Sequence, residues 1–179
     1  MRSEDIPVLT TGRTILRAPI ASDFDDCTAL WGDETVTRFI AKRPFTRDEC
    51  WARLLRKIGH WQVMGFGFWV VRDKASDEFL GIAGFAEHRR AVIPSFEGLP
   101  EAGWVFAPSA HGRGLATEVM MRIVTWADEN IESDTTVCMF DPEHHASRRV
   151  AEKVGFTVRG DATFHDETVL VMERARKAR

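Results

Sequence analysis

The sequence predicts a single mixed α/β domain, and three observations carry that prediction. Its 179 residues fit one domain. Strand-like and helix-like apolar periods follow in the order β-α-α-β-β-β-α-β-α-β-β, mixing hairpin links with helical crossovers. No internal repeat, low-complexity tract or Pro/Gly-rich linker divides the chain.

The elements follow in order. Residues 1–10 read as a loose lead-in, 11–173 as the domain and 174–179 as a basic, solvated tail. Thr14-Ile15-Leu16-Arg17 reads as a first strand closed by Pro19. Ser22 or Asp23 caps a helix with Phe24, Cys27, Leu30 and Trp31 at helical spacing. Thr46-Arg47-Asp48-Glu49 is a capping box, followed by Trp51, Leu54, Leu55 and Ile58 on one helix face, and Gly65 stops that helix. Residues 66–72 are apolar on both alternating sets, which predicts a central strand covered on both faces. Residues 79–87 pair with it across a polar turn. After a long loop over 88–100 comes a third strand over 101–107, ended by Pro108. The most regular helix follows, with Ala116, Val119, Met120, Ile123, Trp126 and Ala127 on one stripe. Residues 135–140 form a β-branched strand. Asp141-Pro142-Glu143 predicts the start of another helix, which stops at Gly155. Residues 156–158 and 168–172 close the sheet. Trp31, Trp51, Trp61, Trp69 and Trp126 fall in apolar periodic positions and read as core, while Trp104 borders the region discussed next. Arg89-Arg90 reads as a solvated pair.

Composition removes several function classes. No apolar run approaches the ~20 residues of a membrane helix, and the N-terminus lacks the apolar stretch of a signal peptide. Three scattered cysteines without a CxxC fit a reduced, cytoplasmic protein. Without its tail the chain holds 20 basic residues against 27 acidic, a poor match for nucleic acid and a bias toward a cationic small partner. There is no tyrosine, so no phenol can act as acid, base or nucleophile.

The segment with chemistry is the strand over 101–107, the loop Pro108-Ser109-Ala110, and His111-Gly112-Arg113-Gly114-Leu115-Ala116-Thr117 opening a helix. A strand running into a glycine-containing helix start presents free N–H groups with the positive dipole end behind them, a site for phosphate. Neither GxxxxGK[ST] nor GxGxxG is present, which excludes the common nucleotide loops. His111, His144 and His145 lack the spacing of a metal site, and none is expected.

These residues resemble the GNAT acetyltransferases. Gly103-Trp104-Val105-Phe106-Ala107-Pro108 with His111 to Glu118 is similar to that family's acyl-CoA pyrophosphate motif. Pro142-Glu143-His144-His145-Ala146-Ser147 with Val150 to Phe156 resembles its second signature. Thr11 to Arg17 and Leu80 to Phe85 resemble the branch that acetylates ribosomal-protein N-termini. The resemblance implies a central, mostly antiparallel twisted sheet of about six or seven strands with a splayed strand pair, flanked by about four helices. It implies acetyl-CoA as co-substrate and a primary amine as acceptor, a protein N-terminus or a small molecule. Main-chain groups of Val105 and Phe106 would hold the pantetheine arm and the amides of residues 112–117 the pyrophosphate, with His111 and His144 as further contacts. Glu101 matches the base position. Many members place a tyrosine acid where Ala151 stands, so the resemblance moves that role to Ser147, with His144 behind it. Two other readings follow: an aminoglycoside- or polyamine-type acetyltransferase, and a catalytically silent acyl-CoA-binding module. The expected assembly is a monomer or a homodimer.

Overall fold

The computed structural model describes residues 5–177. Among these an open sheet of eight strands runs in the order β1-β2-β3-β4-β5-β6-β8-β7. The strands are β1 (Leu9–Thr10), β2 (Thr14–Arg17), β3 (Phe68–Asp73), β4 (Phe79–Ala86), β5 (Glu101–Phe106), β6 (Thr135–Phe140), β7 (Thr157–Phe164) and β8 (Glu167–Ala175). Five helices accompany them: α1 (Phe24–Gly32), the single turn α2 (Glu34–Thr37), α3 (Arg47–Met64), α4 (Leu115–Asn130) and α5 (His145–Lys153). Every neighbouring pair is antiparallel except β5 and β6. No helix among the described residues is long and apolar enough to cross a membrane.

The predicted core strand is real: Trp69, Val70 and Val71 of β3 are fully buried. Val70 and Ile82 pack under α1 and α3 with Trp31, Cys50 and Leu54, whereas Trp69, Val71 and Ala83 pack against α4. The alternation that separates these two layers is the two-residue period of the strand. Trp61, Trp69 and Trp126 meet edge-to-face at centroid distances of 4.8–5.8 Å. The capping box also holds. Thr46 Oγ1 accepts from Glu49 N–H, Glu49 Oε2 accepts from Thr46 N–H at 2.8 Å, and Gly65 ends α3 in the left-handed conformation at φ +74°.

Several expectations need correction. The lead-in is anchored on the sheet: Ile6 and Leu9 are buried, and Pro7 C=O accepts from Trp69 Nε1 at 2.8 Å. Residues 1–4 lie outside the described residues. The basic tail begins inside the sheet, because β8 runs to Ala175 and Arg174 is buried in a forked contact with Asp128 at 2.6 and 2.7 Å. Residues 178–179 lie outside the described residues. The helix predicted at Asp141 starts at His145, since Asp141 Oδ1 instead accepts from Glu143 N–H in a turn. Trp51 is more than a third exposed, capping Phe24 edge-on rather than filling the core. Finally, β7 and β8 are longer than expected because their hairpin turns on His165-Asp166, both at positive φ, with no glycine to announce it.

Candidate active site

The phosphate-loop expectation rests on main-chain geometry, and that geometry is present. Gly112 and Gly114 sit at φ +73° and +72°, where L side chains are strained, and Gly114 is the N-cap of α4. The first intrahelical bond runs from Glu118 N–H to Gly114 C=O at 3.1 Å. The amides of Gly114, Leu115, Ala116 and Thr117 therefore have no acceptor within the helix. Leu115 contributes only that amide, because its side chain is fully buried in the core. Arg113 turns toward Ser109 C=O and Asp73 rather than over the loop. The sequence reading missed Arg13, which braces this turn from the far side of the chain. Its side chain donates to the Glu118 carboxylate at 2.7 Å and to Arg113 C=O at 2.9 Å, while its own N–H donates to Glu118 Oε1 at 3.0 Å.

Next to the loop the sheet opens. β5 and β6 share a single register pair, Glu101 with Val137, supported by Val137 N–H to Pro100 C=O at 3.0 Å, and then diverge. The alternation of an antiparallel ladder decides which β5 groups face the gap. Ala107 N–H donates to Leu80 C=O at 2.8 Å, so Val105, two residues earlier, also turns its main chain toward β4, opposite Ile82. The expectation that Val105 offers main-chain groups to a ligand is thus corrected. The groups that face the gap belong to Trp104 and Phe106. Phe106 C=O already accepts from His111 Nε2 at 2.9 Å, which fixes that tautomer and draws His111 back onto β5. Across the gap the rings of Trp104 and Phe140 stand 6.5 Å apart.

Beneath the gap lies a cleft of about 1390 Å³. Glu101, Val105, Phe106, His111, Ala116, His144 and Ser147 all line it, whereas Gly112, Arg113, Gly114, Leu115 and Thr117 lie outside its lining. Glu101 is no solvated strand end. It is 8% exposed, and Arg90, predicted to be solvated, holds both its carboxylate oxygens at 2.5 and 2.6 Å with its guanidinium over the Phe164 ring. Burial lifts the Glu101 carboxyl above the ordinary carboxylate range, and the Arg90 charge opposes that lift. Ser147 is buried on α5 and faces the cleft, while Ala151 is fully buried in the core. His144 stacks on Phe39 at 4.5 Å, and burial depresses its pKa so that the ring is neutral near pH 7. His88, also in the cleft, is depressed further, to about 3, by burial and then by Arg90, Lys57 and Arg56.

Comparison with known proteins decides the family. The description "Acetyltransferase (GNAT) domain" matches residues 13–157. The chain belongs to the GNAT acetyltransferase family. A putative GNAT-family acetyltransferase from Bordetella pertussis superposes with a TM-score of 0.83 at 33% identity, covering 95% of this chain and all of that one. In sequence, the N-acetyltransferase p20 of Bacillus licheniformis is 25% identical over 154 residues, 85% of this chain and 83% of that protein. YkkB of Bacillus subtilis is 27% identical over 113 residues, 62% of each chain. The structure of RimL, a ribosomal L7/L12 alpha-N-protein acetyltransferase in complex with coenzyme A, shares the fold with a TM-score of 0.74 at 19% identity, 95% of this chain and 97% of that one.

Set in the GNAT fold, residues of the loop that opens α4, of β5 and of α5 line one cleft beside the β5–β6 gap, while the segments Thr11 to Arg17 and Leu80 to Phe85 run into β2 and along β4. Side chains that no motif predicted stand at the other end of the cleft. Arg53, Arg56 and Lys57 of α3 line it together, and their only sequence signal is basic residues at i, i+3 and i+4 beside the apolar stripe. Among the described residues, no group of three or more His, Cys, Asp or Glu side chains could hold a metal ion.

Proposed function

We propose that the protein is an acetyl-CoA-dependent N-acetyltransferase that acetylates a primary amine, on a protein N-terminus or a small molecule, by direct attack on the thioester. The single observation that carries the reading is the β5–β6 divergence directly beside four acceptor-free amides. A splayed strand edge and an anion-binding helix start suit an extended arm ending in a pyrophosphate. Acetyl-CoA, when bound, supplies the activated acetyl group. The amides of residues 114–117 would hold its phosphates, and the gap-facing main chain of Trp104 and Phe106 would hold its arm and orient the carbonyl. His111 keeps the loop against β5. Holding two reactants in line supplies most of the acceleration in such a site.

Two proton positions complete the assignment. Glu101, with its raised affinity for protons, takes the proton that the ammonium must lose. Ser147, buried and facing the cleft, is the hydroxyl that can return one at the leaving sulfur. Neutral His144 stands beside it on the same turn and can relay.

Calorimetric titration of acetyl-CoA into wild type and Gly114→Glu tests the reading. A side chain at φ +72° strains the turn, and its charge faces the phosphates, so affinity should fall at least 100-fold while the thermal melt stays cooperative. Equal affinity in both proteins would sink the loop assignment. Release of the CoA thiol with an amine panel then separates transfer from silent binding.

A further inference from the structure

The cations in the cleft fall into two groups. Lys42, Arg89 and Arg90 each have a carboxylate partner within the cleft wall, at 2.5–3.0 Å, and Arg43 has Glu49 just outside it. Arg53, Arg56 and Lys57 of α3 have no carboxylate within ion-pair distance among the described residues, nor has Arg38, which lies over Phe39 near His144. Arg56 is exposed, and Arg53 and Lys57 stand over aromatic rings. The Arg53 guanidinium lies over Phe45 at 4.2 Å and Trp31 at 5.0 Å, and the Lys57 ammonium stands 3.3 Å from the Phe68 ring centroid. Arg53 Nε is buried with no acceptor. An aromatic floor orients a cation without neutralising it.

Three like charges at i, i+3 and i+4 of one helix repel one another. Burial, and then the neighbouring cations, press the Lys57 pKa well below its ordinary value and bring Arg53 to about 10. Such arrangements are costly in a protein interior, and they are expected where a ligand supplies the missing charge. Asp141 and Glu143, in the turn ahead of α5, and Glu101 line the same cleft. A cluster of unpaired cations therefore lines the cleft, although the chain as a whole is acidic. That reverses the bias toward a cationic partner drawn from net charge.

We propose that the acceptor is a primary amine that also carries an anionic group, a carboxylate or a phosphate, seated on Arg53, Arg56 and Lys57 with the amine directed toward Glu101. The proposal rests on the acetyltransferase reading above. Guanidinium forks match both anions, and an ammonium brought into this field loses its proton more readily. A polyamine meets the same field as a barrier.

The test is steady-state release of CoA thiol with matched pairs: amino acids of varied side chain against their carboxamides, and phosphoethanolamine against ethanolamine, compared per free amine. The anionic member of at least one pair should be preferred tenfold or more in kcat/KM, and the two pair types tell carboxylate from phosphate. Arg56→Gln, at an exposed position, and Lys57→Met, which keeps the stem on Phe68, should each reduce that preference tenfold or more while leaving acetyl-CoA affinity unchanged. Titration of N-acetylated amino acids and their amides into CoA-saturated protein gives a second readout, with the free acids binding at least tenfold tighter in wild type only. Transfer to amides or diamines as good as to acids, no difference between acid and amide in the binding titration, or a matching loss of acetyl-CoA affinity in the variants would each overturn the proposal. Failure of the underlying reading looks different: no acetyl-CoA binding and no thiol release with any amine.

Discussion

The two ends of the cleft are built from different materials. At the α4 end recognition is made of main chain: two glycines at positive φ, four amides without acceptors, and an arginine that touches the turn from behind. At the α3 end it is made of side chains: three cations, two of them on aromatic rings, in one cleft with a carboxylate that is held by a fourth. A main-chain site has to be written locally, because φ values are set residue by residue. A side-chain site can be assembled from anywhere in the chain. The first kind keeps the same chemistry whichever amine is used, whereas the second is free to differ between relatives that share a fold.

If that division is right, the two ends should fail in different observables. The largest effect is expected where they meet. Glu101→Gln keeps the shape of the carboxylate but removes its charge and its capacity to accept a proton. Loss of a general base of this kind lowers kcat/KM on the order of 10²–10⁴-fold. Acetyl-CoA affinity should stay within a few-fold of wild type, because the α4 amides are untouched. A drop of less than tenfold in kcat/KM would remove Glu101 from the proton path and leave it as the counter-ion of Arg90.

The same division explains what could be read in advance. The glycine loop, the capping box of α3, the β3–β4 hairpin and the crossover order were legible because each follows from spacing within about ten residues. Glu101, His144 and Ser147 were found by motif, and they share the cleft. The partner of Glu101 was not, because Arg90 lies in the loop between β4 and β5 and nothing local distinguishes it from exposed Arg89. Val105 was assigned the wrong role for a related reason: the choice between it and its neighbours depends on ladder phase, which Ala107 and Leu80 set across the sheet. Net charge could not have revealed the α3 cluster, since a sum over the chain carries no information on where unpaired charges gather.

A smaller effect measures the α3 field directly. His88 is held neutral down to about pH 3 by burial and then by nearby cations, Lys57 and Arg56 among them, while an unfolded histidine titrates near 6.5. Between those values the unfolded chain binds the extra proton. Its contribution to stability is therefore fully present above pH 6.5 and is lost as the pH falls toward 3, at no more than about 1.4 kcal/mol per pH unit. Urea melts at pH 7, 6 and 5 should show a flatter acid slope in His88→Gln. In Arg56→Gln the His88 resonances should titrate at a higher pH than in wild type. An unchanged titration would mean that Arg56 exerts little field on the imidazole, leaving burial, Arg90 and Lys57 as the causes of its depression.

The smallest effect belongs to the other end. Arg13 and Glu118 form a half-exposed ion pair, and pairs of that kind contribute about 0–1 kcal/mol to stability. Its value here lies in what Arg13 also holds, the carbonyl of Arg113 between the two glycines at positive φ. Arg13→Ala should therefore leave the melt almost unmoved and weaken acetyl-CoA binding about 3- to 10-fold, the cost of one charge-assisted hydrogen bond lost from a preorganised turn. The acid-over-amide preference among acceptors should be untouched, since nothing in the α3 cluster changes. A variant that lost that preference instead would show that the two ends are mechanically one site, and the separation of main-chain from side-chain recognition would have to be abandoned.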